Sequence, residues 1–98
     1  MAYKYSKGKT FQGDIYNEDD HERNTYIDFG DDDYIGLVAS GSSVLVVSGS
    51  KVGIGTATPD YTLDVAGNIG VDQYIYHNDD TNTYLNFTND RLRFNVGG

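Results

Sequence analysis

Val52-Gly53-Ile54-Gly55-Thr56-Ala57-Thr58-Pro59, followed by Leu63-Asp64-Val65-Ala66-Gly67-Asn68-Ile69, decides how the chain is read. Val52 and Ile54 alternate with glycines, which fits an extended segment whose glycine side lies against another backbone with no room for a Cβ. Pro59 removes a donor and holds Thr58 extended, so a β ladder must break there before Leu63 and Val65 resume the alternation. Gly67-Asn68 supplies the next turn. The stretch reads as strand, stop, strand.

Outward from it, short strands and polar turns alternate. Phe11 to Tyr16 predicts a first strand, with Gly13 at a bulge or close approach. The polar loop Asn17 to Asn24 leads to a strand over Thr25 to Phe29, with Ile27 and Phe29 facing one way. Gly30-Asp31-Asp32-Asp33 turns the chain. Tyr34 to Ala39 and Val44 to Val47 are apolar enough to predict burial on both faces. Ser40-Gly41-Ser42-Ser43 and Ser48-Gly49-Ser50 join these strands as linkers do. Further strands are predicted over Val71 to Tyr76, Thr83 to Phe87 and Arg91 to Val96. No segment has the 3.6-residue period of an amphipathic helix, so the fold class is all-β, with Gly/Pro-rich turns.

An internal repeat organises these strands. Ile15-Tyr16-Asn17-Glu18-Asp19-Asp20 and Asn24-Thr25-Tyr26-Ile27-Asp28-Phe29 are echoed by Ile75-Tyr76-His77-Asn78-Asp79-Asp80 and Asn82-Thr83-Tyr84-Leu85-Asn86-Phe87. Beyond them Asp32 falls on Asp90, and Tyr34, Gly36 and Val38 fall on Leu92, Phe94 and Val96. The predicted organisation is an arm at 1–10, a first β unit at 11–50, a Gly/Pro-punctuated connector at 51–70 and a second unit at 71–98 that breaks off. Ile27, Phe29, Leu85 and Phe87 are the expected repeat core, with Tyr26 and Tyr84 on the opposite face.

Composition limits what such a chain does. Fifteen acids against seven bases give a net charge of −8, which repels a phosphate backbone and argues against nucleic-acid binding. Leu, Ile, Val and Phe make up roughly a quarter of the residues, not far above the level at which high net charge favours disorder. Nine tyrosines offset that deficit with flat, half-polar surface suited to interfaces between chains. Without cysteine there are no disulfides or thiolate metal sites. No apolar run approaches membrane-spanning length. The first residues, Met1 to Lys9, are basic with no apolar region behind them, which is not a secretory signal, so synthesis in a cytoplasm is expected. Lys4, Lys7 and Lys9 oppose the sign of the rest and suit either docking on an acidic neighbour or a solvated terminus.

The order of glycines, Thr-Pro, Leu-Asp-Val and Gly-Asn-Ile over residues 52 to 69 resembles a module of bacteriophage tail fibres and related virion appendages. The resemblance implies an intertwined, parallel homotrimer in which each chain lends strands to a shared three-sided β shaft, of β-prism or β-helix type. Val52, Gly53, Ile54, Gly55, Pro59, Leu63, Val65 and Gly67 would then form the trimer packing, with the glycines where chains crowd. Partners would be other virion tail proteins and, through a distal part, a host glycan. The location would be the virion, assembled in the host cytoplasm. Starting at Met1, the segment would be the particle-proximal end, because such fibres attach by their N-termini.

Candidate chemistry is sparse. Asp31-Asp32-Asp33 and Glu18-Asp19-Asp20 gather carboxylates without the spacing of a calcium loop. His21 and His77 sit in polar loops near acids, yet no nucleophile is in a recognisable setting. Gly53-Ile54-Gly55 imitates a dinucleotide fingerprint, but no helix follows to hold a phosphate. No enzyme activity, cofactor or metal is expected. Tyr74 and Tyr76 offer faces on which a sugar ring stacks, which keeps open a carbohydrate-binding module. The stalk of a bacterial adhesin is a third class.

Overall fold

A computed structural model describes residues 13–97. The arm with Lys4, Lys7 and Lys9, and Phe11 of the first predicted strand, lie outside the described residues. The described part is all-β, with nine strands and no helix: β1 (Ile15–Tyr16), β2 (Tyr26–Asp28), β3 (Tyr34–Ala39), β4 (Ser42–Ser48), β5 (Lys51–Ile54), β6 (Leu63–Val65), β7 (Tyr74–His77), β8 (Asp80–Thr88) and β9 (Arg91–Asn95). They form two sheets, a six-stranded one in the order β1-β2-β3-β4-β5-β6 and a three-stranded one in the order β7-β8-β9. The chain divides into two compact units between Gly67 and Asn68.

In the first unit every neighbouring pair is antiparallel except β5 and β6, which run parallel. Ala39 pairs with Ser42 across Ser40-Gly41, whose φ angles are both positive at 52° and 78°. That is the twist a two-residue hairpin needs. The serine-glycine stretch expected as a linker is therefore a tight turn, with Ser42 and Ser43 already in β4. The expected connector is likewise part of the first sheet, since β5 and β6 extend it by two strands.

The parallel pair is closed by a short folded loop between Ile54 and Leu63. The Val52 amide donates to the Thr62 carbonyl and the Ala66 amide to that of Ile54, fixing both ends. Within the loop the Thr58 amide donates to Thr56 Oγ1, the Asp60 amide to Asp64 Oδ2, and Lys51 Nζ to the Asp60 carbonyl. Pro59 is buried. A Cβ on Gly53 would collide with the Thr56 carbonyl oxygen, and one on Gly55 would lie 3.0 Å from that of Ala66. Gly55 also has a φ of +79°, which L side chains rarely adopt. The close backbone approach expected of these two residues is present within the chain itself, against the Thr56 carbonyl in the loop for Gly53 and the Ala66 carbonyl just after β6 for Gly55. Gly67, the third glycine of the motif, is exposed with open space where its Cβ would be.

The buried centre of the first unit is small and lies on one side of the sheet. Val46, fully buried, stands in a cross-strand row between Gly36 and Gly53, and Val38 is 5 % exposed. The Tyr34 ring lies 3.2 Å from the Cβ position of Gly36, and Thr56 covers Gly53. Two glycines thus make space for one valine and are roofed by Tyr34 and the loop. β3 is not buried on both faces as its sequence suggests: Gly36 and Val38 are covered, whereas Ile35 and Leu37 are open.

The second unit repeats the pairing of the first. Ile15 opposite Ile27 and Tyr16 opposite Tyr26 correspond to Ile75 opposite Leu85 and Tyr76 opposite Tyr84. The third strand departs from the expected alignment. Leu85 pairs with Phe94 as Ile27 pairs with Leu37, so Leu92 and Phe94 take the places of Ile35 and Leu37, not of Tyr34 and Gly36. The physical reason is the preceding turn, which is one residue shorter: Asp90 (φ 58°) occupies the left-handed position held by Asp33 (φ 56°), not by Asp32. A one-residue slip exchanges the two faces of a strand. The shorter turn keeps aliphatic residues in register with the repeat core.

Candidate assembly surface

Strand register places one aliphatic side chain per strand in a single row across the first sheet. Ile15, Ile27, Leu37, Leu45, Ile54 and Val65 are successive cross-strand partners and so share a face. A second row beside it consists of Ile35, Val47, Val52 and Leu63. Phe29 joins Ile35 and Val47 in lining one shallow hollow at its end. Every residue of these rows is apolar, yet none is buried among the described residues; Phe29 is 40 % exposed and Leu63 58 %.

The second unit carries the corresponding face. Ile75, Leu85 and Phe94 form one row, and Phe87 with Leu92 the next. Phe94 is 70 % exposed. Ile27, Phe29, Leu85 and Phe87 thus sit opposite Tyr26 and Tyr84 in the strand alternation, but none of the four is buried within its own unit among the described residues. Among the motif residues, Val52, Ile54, Leu63 and Val65 are on this face, while Gly53, Gly55 and Pro59 shape the loop behind it. Fully burying an aliphatic or phenyl side chain is worth about 1.5–3 kcal/mol. With about ten such side chains half exposed per chain, covering the two faces stabilises by on the order of 10 kcal/mol before the entropy of association.

The opposite face is aromatic and polar. Tyr16 stacks on Tyr26 at 4.6 Å, and Arg23 lies 4.0 Å over the Tyr16 ring. In the second unit Tyr74 and Tyr76 stack at 5.1 Å, and Tyr84 meets both edge-on. The tyrosine faces therefore serve first one another. Desolvation, followed by the neighbouring Tyr16, Asp28, Asp14 and Tyr34, raises the Tyr26 phenol above its ordinary value. Asn86, opposite Tyr74, is 6 % exposed, and its Oδ1 has no hydrogen-bond partner. The corresponding Asp28 instead accepts from the Gly30 amide at 2.8 Å.

The carboxylates that sequence singles out are largely turn-formers. Asp20 Oδ2 accepts from the Thr25 amide and Asp14 Oδ1 from the Phe29 amide. Asp31, Asp32 and Asp33 are exposed. No three His, Asp or Glu side chains converge as a metal site among the described residues. His77 Nδ1 lies 3.7 Å from Asp80 Oδ2, which also accepts from the Thr83 hydroxyl; His21 is exposed. Sequence reading found the motif aliphatics but missed Leu37, Leu45 and Val47 as members of one open face, and it missed Val46 and Asn86. Only the register reveals the rows, because β3 and β4 alone look like interior strands. No protein-family model, curated protein or solved structure matches this chain.

Proposed function

We propose that the chain is a structural, non-enzymatic segment of a phage tail fibre or related virion appendage, and that three copies assemble into an intertwined β shaft. The observation that carries this reading is the aliphatic row crossing all six strands of the first sheet, with an apolar counterpart in the second. A chain of net charge −8 that leaves such a face open among its described residues calls for a partner bearing the same kind of face. Copies of itself meet that need, and the tail-fibre-like motif of residues 52–69 contributes four side chains to it. The work is mechanical: to hold a stiff rod between the particle and whatever lies at its far end. Light scattering on the purified chain tests the reading. A native mass of three chains is expected, and a cooperatively folded monomer at micromolar concentration would overturn it.

A second reading, a carbohydrate-binding module, draws on the Tyr74, Tyr76 and Tyr84 cluster, where Tyr76 keeps an exposed flank. Reproducible binding of a bacterial polysaccharide on a glycan array, lost in Tyr76→Ala, would replace the shaft by this reading.

A further inference from the structure

Among the described residues the two sheets end in edge strands whose outward backbone groups match. β6 terminates the first sheet and β9 the second. In β6 the Thr62 carbonyl and the Ala66 amide bond inward to β5, so by alternation Leu63 and Val65 direct their amides and carbonyls outward. In β8 the Phe87 amide donates to the Gln73 carbonyl before β7, on the side away from β9. Its cross-strand partner Leu92 is therefore not bonded to β8, and Leu92 and Phe94 also direct their backbone groups outward. The side chains match as well. β6 reads Leu63-Asp64-Val65 and β9 reads Leu92-Arg93-Phe94, each with two apolar residues on the open aliphatic face and one charge on the other.

From this the geometry points to a second copy of this chain as the partner of each edge: β6 of one protomer pairs antiparallel with β9 of the next. Leu63 stands opposite Phe94, Asp64 opposite Arg93 and Val65 opposite Leu92. The two flanking pairs exchange backbone hydrogen bonds, and the central pair is of the non-bonded kind, in which side chains approach most closely. Arg93 and Asp64 then form a cross-strand ion pair, and the aliphatic rows of the two sheets join into one face. Like edges are poorly suited to each other, since β6 against β6 sets Asp64 against itself and β9 against β9 sets Arg93 against itself. The other two edges offer less: β1 has two residues, and β7 carries no charge between Tyr74 and Tyr76, whereas Asp64, whose Oδ2 accepts from the Asp60 amide, keeps Oδ1 for an ion pair. Because each chain offers one edge of either kind, the contact is head-to-tail and closes after three copies in the assembly proposed above, on which this inference rests.

The chain has no cysteine, which makes the pairing directly testable. Cα atoms of a non-bonded antiparallel pair lie about 4.5 Å apart, within the span a disulfide bridges. Oxidation of the double variant Asp64→Cys, Arg93→Cys is expected to give covalent trimers on a denaturing gel. The off-register pair Asp64→Cys, Asn95→Cys should give none. In case Asp64→Cys disturbs the loop through the Asp60 amide, Arg93→Glu on the exposed strand provides a second arm. It should raise the concentration at half-assembly by at least about tenfold, with an unchanged far-ultraviolet spectrum. A native trimer that neither cross-links nor responds to Arg93→Glu overturns the pairing and leaves the shaft standing, whereas a native monomer removes both. An internal disulfide of single-chain mass overturns the inference, because the edges would then meet within one chain, and a ladder beyond three chains overturns the closed ring.

Discussion

The two sheets share a pairing pattern but not a means of support. In the first, the strands equivalent to the whole second unit are followed by β4, β5 and the loop over Gly53, and together these enclose Val46 and Val38. The second, whose last described strand is β9, has no buried apolar side chain among the described residues; the one buried residue there is Asn86, with an unsatisfied oxygen. The same three-stranded pattern thus encloses a small apolar centre when it has a glycine-valine-glycine row and a roof, and encloses none among the described residues when it lacks them. Small β units of this size commonly need outside support.

The comparison breaks most readily at the glycines. Gly53→Ala sets a methyl group against the Thr56 backbone and should cost the first unit at least about 1–3 kcal/mol, as overpacking that only a backbone shift relieves. Gly70→Ala in the second unit meets open space and should stay within about 0.5 kcal/mol. Paired chemical denaturation of the two variants checks both, and equal effects would mean that the loop does not roof the sheet. Because this clash is internal, failure of a glycine variant to assemble does not by itself report on contacts between chains.

A smaller contrast separates internal from shared packing. Val46→Ala should lower stability by about 2 kcal/mol at any protein concentration, since the cavity lies within one chain. Phe94→Ala, and likewise Phe29→Ala, should cost little in dilute monomer but weaken the assembly, so its melting shift should grow with concentration. Melts over a hundredfold dilution series distinguish the two behaviours. A concentration-independent loss at Phe94 would mean that the second unit has an internal core after all.

The all-β class, the rough strand positions and the repeat were legible in the residues because alternation and turn chemistry are local. Strand alternation sets Ile27, Phe29, Leu85 and Phe87 on the side opposite Tyr26 and Tyr84, but the buried core expected of them is not formed within the described residues. Three features escaped because they are set by register. Whether β3 and β4 are covered depends on which face their neighbours share, and an apolar run such as Val44-Leu45-Val46-Val47 looks alike in both cases. The alignment of Leu92 and Phe94 turns on one residue in a loop, which similarity of composition does not fix. Gly53 and Gly55 were recognised as a close approach, but what approaches them is a matter of how the loop folds back. The alternation Arg91-Leu92-Arg93-Phe94 was the one available sign of an edge with a charged and an apolar side.

The least expected effect, and the most local, is in pH. The Tyr26 phenol is raised by desolvation and by neighbouring acids, so the folded state favours its neutral form. Its contribution to stability is fully present below the ordinary phenol value of about 10 and is lost as pH rises through the higher folded value. Tyr26→Phe should flatten the alkaline limb of the first unit's stability profile. An unchanged limb would show that the Tyr16 and Tyr26 stack is not what senses alkali.

The parallel pairing of β5 with β6 has a further consequence, one of parity. Strands joined by hairpins reverse direction each time, so six of them would return the chain to the end of the sheet where it entered. The loop through Pro59 makes one connection that does not reverse. β6 therefore runs with β1, β3 and β5, and the chain leaves the first sheet at the end opposite its entry. A unit that passes its chain onward, rather than back, can be followed by another without retracing its own length.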